Sequence, residues 1–297
     1  MATTIVCPPN SYTPETQNHH TPKNMDIIQR NFFRLLRSGA YGDADAIEPM
    51  SAFKWRRVFQ MVESQDVAST TLKGLENHAN DRNLNLPEGM QEQWQNAAQN
   101  SEKRTIMSSP MATFELSNFF LNRRLKKIMT TERHSIDCSG ETMQLLNIII
   151  YNVNHILSSG ISLHGIIELG RFLRKQGDRV DFVKLDNWLA KLGMQRMAQL
   201  EGSILMAVFN FEQDELPFVQ HMEPAAYKLT LRTLSHTAKD TAEDWHFRQS
   251  STGFVQNNSK VLRRNLRRSM RYFAYYPVET TSNFFNNFVK SLSEIEE

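Results

Sequence analysis

Residues 181–193 read Asp181-Phe-Val-Lys-Leu-Asp-Asn-Trp-Leu-Ala-Lys-Leu-Gly193 and carry the start, the apolar stripe and the end of an α-helix. Asp181 stands where an N-cap side chain accepts hydrogen bonds from free backbone N–H groups. Large apolar residues follow at helical spacing, namely Leu185, Trp188, Leu189 and Leu192. Gly193 lies just past them, where a left-handed C-cap is common. This stretch predicts an amphipathic helix with one buried face.

The same combination of apolar period and terminal signals recurs along most of the chain. It predicts, in chain order, a helix from Asp26 that ends at Gly39, one from the N-cap Ser51 with a possible break near Ser64, a short one from Pro87, and others over residues 111–129, 141–158 (closed by Gly160), 163–176 (closed by Gly177), 194–211 and 224 to about 236. No segment shows sustained two-residue alternation bounded by hairpin turns. We therefore expect an all-α protein, an irregular array of about nine to eleven helices.

Composition divides the chain into three parts. Residues 1–24 hold four prolines among Thr, Asn and His, and we expect a disordered tail because they offer little apolar surface. Residues 25–236 are expected to form a helical domain in two parts, 25–130 and 141–236. Residues 237–297 are expected to contain a linker, a basic amphipathic helix and a C-terminal helix.

Charge and cysteine content exclude several classes of protein. The 34 basic and 32 acidic residues leave a formal charge of +2, too small to indicate nucleic-acid binding by bulk charge. Two cysteines rule out a disulfide scaffold and a four-cysteine zinc site. No secretory signal is evident, and the apolar run Leu145–Leu157 is shorter than the roughly 20 residues that cross a bilayer. We expect a cytoplasmic protein, either free or peripheral at the inner face of the membrane.

The most distinctive local signal is the run Lys260-Val-Leu-Arg-Arg-Asn-Leu-Arg-Arg-Ser-Met-Arg271, which holds six cations and no anion. The cations are Lys260, Arg263, Arg264, Arg267, Arg268 and Arg271, and Val261, Leu262, Leu266 and Met270 lie between them. On a helix this pattern favours an anionic membrane surface, a phosphate-rich ligand or an acidic protein partner. The structural alternative is a helix that packs its apolar edge on the core, with Arg stems covering that edge. RNA binding through this helix is a third hypothesis, but the chain carries no recognised RNA module.

Other candidate chemistry is sparse. Asp43 and Asp45 form an Asp-x-Asp pair that could chelate magnesium if a strand aimed both carboxylates the same way. A helix end and a turn flank them, so we expect a solvated loop. His134 and Cys138 have the spacing of two metal ligands on one helical turn, but their neighbours predict a loop and no second pair exists. We expect Cys138 to be inert rather than nucleophilic, and His155 to be a hydrogen-bonded core residue.

Several short motifs occur in an order that resembles a nucleotidyltransferase-like family common in Bacteroidetes. The helix Phe32-Phe-Arg-Leu-Leu-Arg-Ser-Gly39 and the Trp-led stretch Trp55–Val67 are similar to the family's opening helices. The stretch Asn154-His-Ile-Leu-Ser-Ser-Gly-Ile-Ser-Leu163 resembles the family's His-Ile-Leu-x-x-Gly-Ile-x-Leu. Also in family order are Leu86-Pro87, Asp181, Leu192-Gly193 and Glu215-Leu-Pro-Phe218, so that the resemblance covers about residues 27–130 and 141–218.

The resemblance also implies a catalytic core that this sequence lacks. Family members carry a small mixed sheet with a Lys-Gly stretch and a strand-borne Asp-x-Asp for metal and nucleotide. Here about ten residues separate the helix that ends near Met129 from the next helix, without Lys-Gly or paired aspartates. Asp43 and Asp45 lie in the wrong place, and His164 and Glu168 stand where the family has Arg and Asp. We therefore expect a relative reduced to its helical scaffold, without an assignable catalytic residue or metal ligand.

Two hypotheses about function follow. The first is a non-catalytic protein without a cofactor that binds a partner protein or an anionic surface through the basic run. The resemblance implies a place for it in cell-surface polysaccharide synthesis. The alternative is a divergent magnesium-dependent nucleotidyltransferase that uses Asp43 and Asp45 with a nucleoside triphosphate. That alternative requires a strand before residue 43.

Overall fold

The computed structural model describes residues 25–107, 114–234, 263 and 266–293, which form α-helices and no β-strand. The helices are α1 (Ile27–Tyr41), α2 (Ala52–Ser64), α3 (Ala68–Asn77), α4 (Met90–Met107), α5 (Phe119–Arg133), α6 (Gly140–Ser158), α7 (Leu163–Gln176), α8 (Phe182–Leu192), α9 (Gln195–Phe209), α10 (226–234), α11 (266–272) and α12 (Pro277–Ser293). The all-α prediction is confirmed. The predicted tail, residues 1–24, lies outside the described residues.

The described residues contain one helix more than the upper bound that we predicted. One reason for the additional helix lies after Ser64. A possible break was predicted there, and the structure shows that the helix ends completely at this point. Asp66 has a φ of 52°, which lies in the left-handed region and cannot continue a right-handed helix. The apolar stripe therefore divides into α2 and α3, which have separate axes.

The sequence predicted that the first helix ends at Gly39, but it does not. Helix α1 continues to Tyr41 and ends at Gly42, whose φ is 78°. Gly39 instead lies inside α1 against α3, where a Cβ atom on it would be 1.8 Å from the carbonyl oxygen of Thr70. A Cβ atom on Gly74 would be 2.1 Å from the carbonyl oxygen of Leu35. The two glycines allow the backbones of α1 and α3 to touch.

Two other predicted helix bounds are wrong. Helix α5 begins at Phe119 rather than at residue 111, because Asn118 caps it by accepting hydrogen bonds from the N–H groups of Phe120 and Leu121. The helix after Pro87 is not short, since α4 runs for 18 residues. Helix α7 ends at Gln176 with Gly177 as its C-cap, as predicted, although Gly177 has a φ of −55° instead of the left-handed conformation and opens a 3-10 turn.

The stretch 181–193 folds as predicted. The Asp181 carboxylate accepts a hydrogen bond of 2.9 Å from the N–H group of Lys184. Gly193 ends α8 with a φ of 65°. The predicted stripe of Leu185, Trp188, Leu189 and Leu192 is buried. Both cap signals are local, which explains why the sequence alone located this helix.

One continuous apolar core connects the two predicted helical parts. Its buried side chains extend from Met25 in front of α1 to Tyr276 in front of α12. Polar contacts also cross between the parts: the Tyr41 hydroxyl donates to the carbonyl of Ile167 over 3.2 Å, and Arg37 Nη1 donates to the carbonyl of Val208 over 3.3 Å. None of the described helices is long and apolar enough to cross a membrane.

The last two helices dock on this core. Tyr272 and Tyr276 are buried, and the Tyr276 hydroxyl donates to the carbonyl of Leu192 over 2.9 Å. The fully buried carboxylate of Glu279, in the first turn of α12, accepts hydrogen bonds from the backbone N–H groups of Ser117 and Asn118. These contacts fix α12 against the segment that leads into α5.

Candidate functional site

Helix α11 and Arg263 upstream of it carry the described part of the basic run. Arg263, Arg267, Arg268 and Arg271 are described, whereas Lys260 and Arg264 lie outside the described residues. The helix ends at Tyr272 and leads through a turn into α12. Four of the six predicted site residues can therefore be placed, and they divide between two sides of the helix.

The outer side of α11 combines charge with apolar surface. Leu266, Arg267 and Met270 of α11 are exposed, and their spacing puts them on one helical face. Arg263 is also helical and exposed, and it stands three residues before Leu266 and four before Arg267. Leu266 is 46% exposed and Met270 is 68% exposed. Phe273, in the turn that follows, is 47% exposed. We call Arg263, Leu266, Arg267, Met270 and Phe273 the α11 outer face.

The inner side of α11 is held by an aromatic residue that the sequence analysis did not single out as an anchor. Tyr272 is fully buried, and burial raises the pKa of its phenol despite the nearby guanidinium groups of Arg271 and Arg268. Arg268 is half-buried and its guanidinium donates to the carbonyl of Ser158. Leu266 and Met270, which the structural alternative would pack on the core, are exposed, whereas Val261 and Leu262 lie outside the described residues. Tyr272, Tyr275 and Tyr276 stand at i, i+3 and i+4, which is the signal that could have identified the anchor.

The turn between α11 and α12 is fixed by Arg196 of α9. Arg196 Nη1 donates to the carbonyl of Ala274 over 2.8 Å, and its guanidinium lies 5.2 Å from the centre of the Tyr275 ring. The hydrogen bond and the cation–π contact hold the C-terminal end of α11 from two directions. The outer face is therefore presented by an anchored helix.

Asp43 and Asp45 lie together, but a cation already occupies the space between them. Arg37 Nε lies 3.0 Å from Asp43 Oδ2, and Arg37 Nη2 lies 2.6 Å from Asp45 Oδ2. Asn210 Nδ2 also donates to Asp43 over 3.2 Å. The predicted loop is confirmed, but the two carboxylates are ion-paired and close the end of α1 onto α9. Helix α1 precedes them, where the enzyme hypothesis requires a strand.

The other sequence candidates occupy structural positions. His134 is the C-cap of α5 and Cys138 is exposed in the loop that follows, so the two residues do not share a helical turn. Within the described residues no group of three or more His, Cys, Asp and Glu side chains could hold a metal ion. The half-buried His155 forms a hydrogen bond of 2.9 Å from Nδ1 to the carbonyl of Gly160, as expected of a core histidine.

The chain matches no family model, no curated protein and no solved structure. The resemblance to nucleotidyltransferase-like proteins therefore stays a prediction. The stretch that resembles the family's Gly-Ile-x-Leu forms the turn from α6 to α7, where Gly160 has a φ of 104° and Ile161 and Leu163 are buried. Residues 134–139 form the whole connection from α5 to α6 and contain no strand.

Proposed function

We propose that this chain is a non-catalytic helical protein that binds an anionic surface through the α11 outer face. One observation carries the proposal: Leu266 and Met270 are exposed between cations on a helix that Tyr272 anchors from the opposite side. A helix that served only to cover the core would turn these apolar residues inward. Their exposure supports the proposal that a binding partner covers them.

The chemistry of the face favours an anionic membrane. A helix that lies on a bilayer inserts its apolar side chains at the headgroup boundary and keeps cations beside the lipid phosphates. Each Arg near such a surface contributes about 1 kcal/mol. Leu266 and Met270 would supply the apolar part and Arg263 and Arg267 the charge. An acidic protein partner is the other candidate, and the experiment below separates the two.

The resemblance to nucleotidyltransferase-like proteins supplies a biological setting for the proposal. Family members resemble accessory proteins of cell-surface polysaccharide synthesis. In that setting the protein would stay in the cytoplasm and bind at the inner face of the membrane, where anionic lipids and a partner enzyme are present. The proposal about the α11 outer face does not depend on this setting.

The alternative is a divergent magnesium-dependent nucleotidyltransferase. It would require Asp43 and Asp45 to release Arg37 before they could bind magnesium with a nucleoside triphosphate. Each carboxylate would lose a charge-assisted hydrogen bond, which is among the stronger contacts in proteins. We regard this arrangement as support for a structural role of the two aspartates.

Sedimentation with liposomes tests the membrane proposal. We expect the protein to sediment with vesicles that contain phosphatidylserine more than with neutral vesicles, and to dissociate as salt is raised. The variant Arg263→Glu/Arg267→Glu should lose this preference. The variant Arg56→Glu/Arg57→Glu is a matched control, because it reverses two exposed charges on α2. Equal sedimentation with both kinds of vesicle would refute membrane binding and direct attention to an acidic protein partner.

A further inference from the structure

A second surface with ligand chemistry lies between α5 and α8. The two helices enclose an open groove of about 550 Å³. Its lining comes from residues that are far apart in the sequence, namely Arg124, Lys127, Ile128, Thr131, Glu132, Trp188, Ala190 and Lys191. Nothing in the sequence patterns indicated this groove.

The rim of the groove is positively charged. Among the described residues, no acidic side chain forms an ion pair with Arg124, Lys127 or Lys191. Glu132, the one carboxylate in the lining, is bound to Lys184 at 3.1 Å. Cations grouped on one concave surface raise the local positive potential and attract anions.

The end of α8 does not cancel this charge. Free carbonyl groups at a helix C-terminus carry partial negative charge that would oppose an anion. Here all of the last four carbonyls accept a hydrogen bond. The donors are the N–H of Met194 to Leu189, the N–H of Gly193 to Ala190, Arg124 Nη1 to Lys191 and the Tyr276 hydroxyl to Leu192.

The floor of the groove is apolar. Ile128 and Trp188 are each 7% exposed and lie beneath the charged rim. A groove of this volume also holds more than a single inorganic ion, since ligand pockets for small organic molecules have about 300–1,000 Å³. The ligand should therefore combine an anionic group with an organic part.

We infer that the groove between α5 and α8 binds a phosphate ester, with the phosphate among Arg124, Lys127 and Lys191 and the organic part on Trp188 and Ile128. A phosphate monoester carries nearly two negative charges and three acceptor oxygens, which suits a groove lined by three cations better than a carboxylate does. A free metabolite and a lipid headgroup offer the same chemistry. This site is separate from the α11 outer face and does not rest on the proposed function.

Calorimetric titration with 1-naphthyl phosphate tests the inference on the full chain. We expect 1-naphthyl phosphate to bind more tightly than inorganic phosphate, because the naphthyl ring covers the apolar floor, and 1-naphthol to bind weakly. The variant Lys127→Gln/Lys191→Gln should raise the Kd for 1-naphthyl phosphate about tenfold or more, since it removes two charge-assisted contacts. Both lysines are exposed, so this variant should fold, as circular dichroism would verify.

Two controls make the test specific. Arg123→Gln removes an exposed cation from α5 outside the groove and should leave the Kd unchanged. The variant Arg263→Glu/Arg267→Glu should also bind the probe as the wild type does. Absence of binding to the wild type, or equal binding by the lysine variant, would overturn the inference. Vesicle binding by the Arg263→Glu/Arg267→Glu variant then separates the sources: a lipid headgroup predicts residual binding that Lys127→Gln/Lys191→Gln removes, and a free phosphate ester predicts no residual binding.

Discussion

Asn152 Nδ2 donates a hydrogen bond of 3.0 Å to Glu201 Oε2 in the centre of the core, where both side chains are buried. The remaining oxygens, Asn152 Oδ1 and Glu201 Oε1, have no partner among the described residues when Glu201 is treated as a carboxylate. Burial raises the pKa of Glu201 well above its usual range. Protonation of Glu201 avoids an unpaired charge in the core.

This pair predicts a pH-dependent stability. A raised pKa in the folded state means that the folded protein holds a proton that the unfolded chain releases above its ordinary carboxyl pKa. The free energy of unfolding should therefore fall as the pH rises from that value toward the raised pKa, by about 1.4 kcal/mol per pH unit from this group. Glu201→Gln, which keeps the shape and cannot ionise, should remove this part of the dependence.

Urea denaturation at several pH values would measure this effect. The Glu201→Gln variant should be more stable than the wild type at pH 8, and the two should converge in acid. Glu168→Gln, at an exposed position, is the control and should keep the wild-type profile. Identical profiles for wild type and Glu201→Gln would mean that Glu201 is not a buried acid.

The contact between α1 and α3 predicts a severe effect of a single methyl group. Gly39→Ala should lower the free energy of unfolding by about 1–3 kcal/mol or more, because the added Cβ meets backbone that cannot move independently. Gly177→Ala is the control, since nothing lies within 4 Å of its Cβ position. Chemical denaturation of both variants would test the difference. Equal stability would show that the helices separate without cost.

The Tyr276 hydroxyl predicts a local effect on the C-terminal helices. Tyr276→Phe leaves the carbonyl of Leu192 without its donor, which should cost about 1–2 kcal/mol and speed hydrogen exchange in α12. Tyr227→Phe is a matched control, because that hydroxyl has no partner among the described residues. Exchange measured by mass spectrometry should change for Tyr276→Phe alone. Similar changes in both variants would contradict a specific role of the Tyr276 hydrogen bond.

The pairing of Arg37 predicts that Asp43 and Asp45 act in stability. The variant Asp43→Asn/Asp45→Asn should lower the free energy of unfolding by about 1 kcal/mol, since the ion pairs are partly exposed and screened. Thermal denaturation at two salt concentrations would measure the loss and its screening. Calorimetry with magnesium and nucleoside triphosphates provides the opposing test. Saturable binding that this variant abolishes would support the enzyme alternative instead.

The sequence predicted features that depend on neighbouring residues and missed those that depend on distant ones. The bounds of α7 and the cap of α8 follow from signals within one turn of each helix end. Gly39 was assigned to a helix end because its true constraint, contact with α3, lies outside its own segment. The sequence also left the orientation of α11 open, since its apolar residues could either pack on the core or face a ligand. Burial of Tyr272 rather than Leu266 decides it.

The same distinction separates the candidate sites that the sequence revealed from those that it did not. The basic run was recognisable because its six cations lie within 12 residues of sequence. The groove cations Arg124 and Lys127 are separated from Lys191 by all of α6 and α7. The pairing of Arg37 with Asp43 and Asp45 is close in sequence, but an Asp-x-Asp pattern does not reveal a guanidinium group six residues upstream. Short-range patterns therefore located clusters of charged residues but did not identify the ion-pair partners of these residues.

The contact of Gly39 with α3 also offers a way to find relatives of this chain. Apolar stripes change freely among leucine, isoleucine and methionine over evolutionary time, so that similarity between distant homologues is lost first in such helices. The two glycines at this crossing cannot change in that way, because neither position has room for a side chain. They stand 35 positions apart, on two helices joined by α2. A pair of glycines at this separation, each within an apolar helical stripe, is a fingerprint that should outlast the rest of the sequence.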